Sequence, residues 1–325
     1  MSRLNQILIG IVVFQLAITA FVFWPQTSQS VTAGLLPDVE AASVVKITLY
    51  DENDNTLVLA KNGDNWVLPE ADDFPVNSEQ VVTLLENIEA INTNRLVTRT
   101  ESSHKQLKVA GDDFTRRIEL ETQDGNKHTL FVGSAAGAGA THVRVEEQTE
   151  VYLAANLNSF EVNVLASGWI DTLYHSVPQA EVTAVTLENK NGIFEFEKDG
   201  DTWTLLDLAE GETFNEAAFT GMLSSAASLR MTAPLGKIEQ PSYGLADPQA
   251  VLTLKTSGES GEKTYTLQVG AKTEDNTYIV KSSESPYHVT VAEFTGNNLV
   301  DKTRADFLQV PPAATEETGG SSESQ

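Results

Sequence analysis

Two stretches of the chain carry the same succession of hydrophobic and polar positions. Apolar and polar residues alternate through Val45-Lys46-Ile47-Thr48-Leu49, and a similar alternation returns in Val182-Thr183-Ala184-Val185-Thr186-Leu187. A period of two marks a half-buried strand. Second strands are predicted over residues 56–59 and 193–196. Gly63-Asp64-Asn65-Trp66-Val67-Leu68 and Gly200-Asp201-Thr202-Trp203-Thr204-Leu205 then read as turns feeding third strands, with the two tryptophans 137 positions apart.

The period next changes to that of a helix. Val81, Leu84, Leu85, Ile88 and Ile91 recur at helical spacing behind Asn77, a predicted N-cap. Gln80 is placed to reach back to the cap, and Val76 with Val81 to form a hydrophobic staple. In the second stretch Asn215 takes the cap and Phe214 with Phe219 the staple. Met222, Leu223, Ala226 and Leu229 supply the apolar face. The caps lie 138 positions apart, in phase with the tryptophans.

The later parts match more loosely. Leu107-Lys108-Val109-Ala110 answers Tyr243-Gly244-Leu245-Ala246, and strands at 117–120 and 251–254 precede turns at 124–125 and 258–261. Leu130-Phe131-Val132-Gly133 answers Leu267-Gln268-Val269-Gly270, and two further strand pairs follow, at 142–145 with 278–280 and 151–153 with 288–291. The expected fold class is α+β: two tandem repeats, each a mainly antiparallel sheet with one main amphipathic helix, behind an N-terminal transmembrane helix. A Trp, a helix cap and a Gly recurring at nearly one offset point to duplication.

The transmembrane expectation comes from residues 7–24, ILIGIVVFQLAITAFVFW, which no charge interrupts. At the helical rise this run spans roughly 27 Å, close to the hydrocarbon thickness of a bilayer. Trp24 suits the interface and Pro25 stops the helix. Arg3 precedes the run, while the first acids after it are Asp38 and Glu40, so the amino terminus is expected in the cytoplasm and the bulk outside. A cleaved signal peptide is the competing reading; against it stand the length of the run, a single Arg ahead of it and a poor cleavage site at Val31-Thr32-Ala33. The expected organisation is a cytoplasmic N-terminus at 1–6, the anchor at 7–24, a linker at 25–43, repeats at 44–176 and 177–310, and a disordered acidic tail at 311–325.

Composition narrows the function. A net charge of −25, from 46 acidic and 21 basic residues, repels phosphate backbones, so no nucleic-acid partner is expected. With no cysteine, disulfides, thiolate metal sites and cysteine nucleophiles are excluded. The five histidines, His104, His128, His142, His175 and His288, show no metal-ligand spacing and read as surface or strand residues. The run Gly133-Ser134-Ala135-Ala136-Gly137-Ala138-Gly139 lacks the Lys-Ser/Thr of a phosphate loop and reads as a mobile hairpin loop. Gly111-Asp112-Asp113 and Glu70-Ala71-Asp72-Asp73 lack the alternation of a calcium loop and read as turns. Trp66, Trp169 and Trp203 read as core rather than as a sugar platform. Neither a Ser-His-Asp arrangement nor a G-x-S-x-G elbow is present; paired carboxylates are set by the fold and stay open. No catalytic, cofactor or metal residue is assigned, and no cofactor is expected.

Tyr243-Gly244-Leu245-Ala246-Asp247-Pro248, the strand and turn after it, and Leu267-Gln268-Val269-Gly270 carry a resemblance. With the preceding Trp-x-Leu strand and capped helix, they resemble the bacterial domain of unknown function 4340 family over nearly all of 44–308. The first copy looks like a divergent version, with Leu107-Lys108-Val109-Ala110-Gly111-Asp112-Asp113-Phe114 at the matching place. The resemblance implies an accessory protein of ABC-type transporters of the gliding-motility kind, and it supplies no catalytic residue. The expected function is therefore a noncatalytic module, anchored in the inner membrane through 7–24, lying on the periplasmic side and docking on a transporter or envelope complex. The alternatives are a polysaccharide- or peptide-binding module using the cleft between repeats, and, further off, an envelope hydrolase.

Overall fold

The computed structural model describes residues 33–258 and 261–309. The expected anchor at 7–24 and the tail at 311–325 lie outside the described residues; among those described, no helix is long and apolar enough to cross a membrane.

The chain first lays down β1 (Val44–Asp51), β2 (Thr56–Asn62), β3 (Asn65–Leu68) and the short β4 (Phe74–Pro75). Helix α1 (Ser78–Glu89) follows, then β5 (Leu96–Thr98) and the small ribbon of β6 (Val109–Ala110) and β7 (Asp113–Phe114). The meander β8 (Arg116–Thr122), β9 (Lys127–Gly137), β10 (Ala140–Val145) and β11 (Val151–Ala154) completes the first half. These strands form one antiparallel sheet in the order β4-β3-β2-β1-β8-β9-β10-β11-β5, with the β6–β7 ribbon separate.

The second half opens with β12 (Leu173–Ser176), then β13 (Val182–Asn189), β14 (Gly192–Asp199) and β15 (Thr202–Leu205). Helix α2 (Glu216–Ala227) leads to β16 (Ser228–Arg230) and β17 (Ala233–Gly236). The meander β18 (Ala250–Gly258), β19 (Gly261–Lys272), β20 (Tyr278–Ser282) and β21 (His288–Val291) precedes helix α3 (Glu293–Val300). The second sheet runs β15-β14-β13-β18-β19-β20-β21-β17, while β12 pairs with β16. In both sheets the helix carries the chain from one edge to the other, and the last meander fills the gap. The protein is thus mostly antiparallel sheet with few helices, an α+β arrangement.

The sequence pattern explains these elements. Val44, Ile47 and Leu49 are buried on β1, as are Val182, Val185 and Leu187 on β13. The ladder slips just after Val44 in one sheet and just after Val182 in the other. Such a slip puts two residues opposite one, which lets both Val44 and Ile47 face inward despite their odd spacing. On α1 the buried residues are Val81, Leu84, Leu85 and Ile88, and on α2 Phe219, Met222, Leu223, Ala226 and Ala227. Both halves feed one continuous apolar core.

Both helix caps are as predicted. Asn77 Oδ1 accepts from Gln80 N at 3.3 Å, and Asn215 Oδ1 from Ala218 N at 3.2 Å. Either Asn→Ala substitution is expected to cost about 1 kcal/mol, read as a lower denaturant midpoint at unchanged slope. The Gln80 side chain does not close a capping box; it donates to Gly168 O at 2.7 Å, beside Trp169, whose carbonyl accepts from Asn77 N at the same helix start.

Other expectations are corrected. Gly133 to Gly137 belong to β9, and only Ala138 and Gly139 make the turn, so the run is a paired strand rather than a loop. Helix α3 was not predicted: it is eight residues long, interrupted by Gly296, and shows little amphipathic period. Leu229 lies in β16 rather than on the helix, though it is buried. A short segment also pairs behind each helix: Gly34 bridges Asn92 in the first half, and β12 pairs β16 in the second.

Candidate functional site

The halves meet at a turn that the sequence marks only by its acids. Asp72 and Asp73 follow β3 and both have left-handed backbone, with φ of 52° and 59°. Aspartate tolerates this region better than most side chains because it bonds locally. Here the bonds reach across the seam. Asp72 Oδ2 accepts the backbone N–H of Lys237 at 2.6 Å, just past β17. Gly236 has φ of 98°, and a Cβ there would stand 2.6 Å from the same oxygen, so glycine makes room for the carboxylate. Asp73 O accepts the Tyr287 hydroxyl at 3.2 Å, and the Asp73 side chain is held by Asn62 Nδ2 at 2.9 Å. The Phe74 ring meets Tyr287 edge-on at 4.7 Å, with Lys237 Nζ 4.8 Å from the Tyr287 ring centroid.

Beside this seam lies a cleft of about 820 Å³, lined from the first half by Phe74, Val76 and Ile170 and from the second by Tyr174, Met231 and Tyr287. Asn77, Asp171, Glu284 and Ser285 stand at its polar margin. A hollow of similar size, about 840 Å³, is bordered by Asp38, Glu40, Asp124 and His128, but turn residues dominate its wall. The first cleft is the stronger candidate because aromatic and aliphatic side chains converge there from both halves.

The cleft wall is braced from behind. Tyr174 Oη donates to Tyr287 O at 2.7 Å and accepts from Ser282 N at 2.8 Å, and burial pushes its pKa up. Ser282 Oγ accepts from Glu284 N at 3.1 Å and shares a hydrogen bond with His175 Nδ1 at 2.9 Å. Among the described residues, His175 Nε2 is buried without a partner. This Ser-His contact, absent from the sequence reading, is not a nucleophile: both residues are only 1% exposed.

Burial pulls the His175 pKa down, with Glu284 opposing more weakly. The folded protein therefore resists a proton that the unfolded chain accepts near pH 6.5. Stability from this group is complete above that pH and is lost as pH falls toward the depressed folded value. The slope is at most about 1.4 kcal/mol per pH unit for one proton. His175→Gln is expected to flatten the dependence of the melting temperature on pH between 7 and 5, whatever its offset at neutral pH.

A family described as Domain of unknown function (DUF4340) matches residues 66–240. The chain belongs to that family. The match runs from Trp66 on β3, through the seam turn and both helices, to the segment after β17, so it takes in both walls of the cleft only in part. It stops short of Tyr243-Gly244-Leu245-Ala246-Asp247-Pro248, which carried the resemblance. No curated protein and no solved structure matches the chain.

The remaining candidates of this DUF4340 chain are scattered. Trp66, Trp169 and Trp203 are all core, with Trp169 Nε1 donating to Asn163 O at 2.7 Å. His175 and His288 lie in strands, as read, and are buried there, whereas His104 is buried outside any strand. His104 Nε2 pairs with Thr149 O at 2.8 Å, and His288 Nδ1 with Gly236 O at 3.2 Å. His142 Nδ1 meets Ser134 O at 2.8 Å, and His128 borders the acidic hollow. Asp112 and Asp113 pair with Lys105 at 2.6 Å and Lys108 at 2.8 Å. Among the described residues, no group of three or more His, Asp or Glu is placed to hold a metal ion.

Two cations were missed. Arg144 on β10 is buried; its Nε donates to Val109 O at 2.7 Å and its Nη1 to Gln148 O at 3.0 Å, with burial lowering its pKa. Lys281 on β20 donates to Ser282 O at 3.1 Å and to Ser285 O, and burial lowers its pKa too. Both staple the turn that follows their strand. A lone cation inside an alternating strand gives no sequence signal for that role.

Proposed function

We propose that this DUF4340 chain is a noncatalytic docking module, anchored in the inner membrane by residues 7–24, with its body on the periplasmic side, engaging an ABC-type transporter or another envelope complex. The observation that carries the reading is the cleft of about 820 Å³ at a seam whose polar groups are already committed to holding the halves together. A body built this way offers a shaped apolar surface rather than reactive groups. The uncharged run at 7–24 and the family's tie to gliding-type transporters support the location and the partner class.

We read the body as two copies of one unit, at about 34–170 and 173–308, wider than the sequence alone suggests. The corresponding strand orders support this, as do the slips after Val44 and Val182. So do the ends: Asn77 N donates to Trp169 O at 2.7 Å, and Asn215 N to Phe307 O at 2.8 Å. Trp169 and Phe307 each close a unit by plugging its helix start.

The test is crosslinking in native membranes with a photoreactive side chain at Leu173, on the cleft rim. Recovery of one defined envelope protein supports docking; recovery of free monomer alone overturns it. A second reading, a peptide- or polysaccharide-binding cleft, is favoured by the Phe74, Tyr174 and Tyr287 lining. A glycan and peptide panel read by thermal shift decides it, and flat melting curves at millimolar ligand remove it.

A further inference from the structure

The sheet of the first half ends at β5, which bonds to β11 on one side and has no strand on the other among the described residues. Arg95, Leu96, Val97 and Arg99 are all exposed there. Arg95 has no ion pair with any described residue, and Arg99 makes only a 3.7 Å contact to Glu150 while its own side chain stays 71% exposed. The ladder to β11 slips within β5, pairing Thr98 with Val151 and Leu96 with Tyr152 and leaving Val97 opposite no residue, and Arg95 and Arg99 flank the strand on either side. In a chain of net charge −25, two arginines bracketing exposed Leu-Val on an open edge form a locally basic, adhesive strip.

The matching edge of the second sheet shows what such an edge receives. β17 occupies the same end position, next to β21, and it is covered. The cover is the acidic Asp72-Asp73-Phe74 turn, with its carboxylate on Lys237 N and its ring on Tyr287. Among the described residues, nothing at β5 corresponds to that cover. Arg99 also stands at the end of β5 where Gly236 ends β17, so a carboxylate arriving there meets a guanidinium instead of a bare N–H.

We infer that the β5 edge, Arg95 to Arg99, is the docking strand for an extended acidic segment of a partner protein. The segment adds beside β5 through backbone hydrogen bonds, sets carboxylates on Arg95 and Arg99, and lays an apolar side chain on the exposed Leu96-Val97 pair. This deepens the docking reading above and rests on it, but it can fail alone: the Leu173 crosslink tests the cleft, and the following tests the edge.

The purified full-length chain is titrated with three fluorescent hexapeptides: alternating Glu and Val, alternating Lys and Val, and the Glu-Val peptide with alternate amides N-methylated. The Glu-Val peptide is expected to bind, about tenfold more weakly at 300 mM than at 50 mM salt as screening takes hold. The N-methylated form should lose about tenfold or more, because it keeps the charge and loses the strand pairing. Arg95→Glu with Arg99→Glu should transfer the preference to the Lys-Val peptide, and Arg95→Lys with Arg99→Lys should keep the original preference. Equal binding of the acidic and basic peptides overturns the inference, as does indifference to N-methylation. So does a dimer in sedimentation that the Glu substitutions dissolve, since the edge then serves a second copy. No binding by any peptide means that the arginines only guard the edge against aggregation, and that too overturns it.

Discussion

Trp169→Ala is expected to destabilise the protein by about 3–5 kcal/mol, the range for truncating a fully buried aromatic. Trp169 is 0% exposed, so the substitution leaves a void rather than a solvated notch. Its indole N–H also ties Asn163 O at 2.7 Å, and that carbonyl loses its partner. The backbone contact from Asn77 N to Trp169 O holds the start of α1. Loosening it should therefore speed hydrogen exchange first in the opening turn of α1. A shift of the denaturant midpoint worth less than 1 kcal/mol would mean that the indole is replaceable packing and does not hold the start of α1.

Gly270→Ala is expected to be nearly as damaging, although it adds one methyl group. A Cβ at Gly270 would fall far inside contact distance of Tyr243 O and 3.1 Å from a Leu245 methyl. The obstacle is main chain, which cannot swing aside, so the strand or the Tyr243–Leu245 segment must shift. Overpacking of this kind costs roughly 1–3 kcal/mol and can exceed that range. Gly133 stands in the same relation to Leu107 O, and its substitution should behave alike. Gly221→Ala is the control. It lies within α2 with nothing within 4 Å of its added Cβ, and should stabilise by about 0.5–1 kcal/mol. Chemical denaturation of the three variants separates steric collision from any general effect of glycine loss.

These glycines also show what the sequence can disclose. Leu-Phe-Val-Gly and Leu-Gln-Val-Gly were visible as a recurring pattern, but the reason for the glycine was not. It lies in the crossing of each strand by the segment beginning at Leu107 or Tyr243. Strands, helices and caps were legible because each depends on neighbours in the chain: alternation for β1 and β13, an Asn three residues ahead of a bonded amide for α1 and α2. Helix α3 escaped because eight residues around a glycine give too little period. The pairing of Gly34 with Asn92 escaped because a bridge so short has no pattern at all. The cleft was legible only as a guess that two units leave a gap. Its lining comes from Phe74, Tyr174 and Tyr287, more than 200 positions apart at the extremes, and no local rule connects them. Asp72 looked like an ordinary acidic turn because its partner, the amide of Lys237, lies 165 positions away.

The seam between the halves joins unlike surfaces: one side offers a left-handed acidic turn, the other a glycine-ended strand and a tyrosine. A contact between different patches has a direction, as a plug and socket do. Two molecules meeting about a twofold axis present the same patch to each other, so a symmetric pair that reused this joint has to form it twice, each turn in the other molecule's socket. Each molecule already fills its own socket, so that exchange has to open the seam first, and molecules that keep it closed pair through other surfaces.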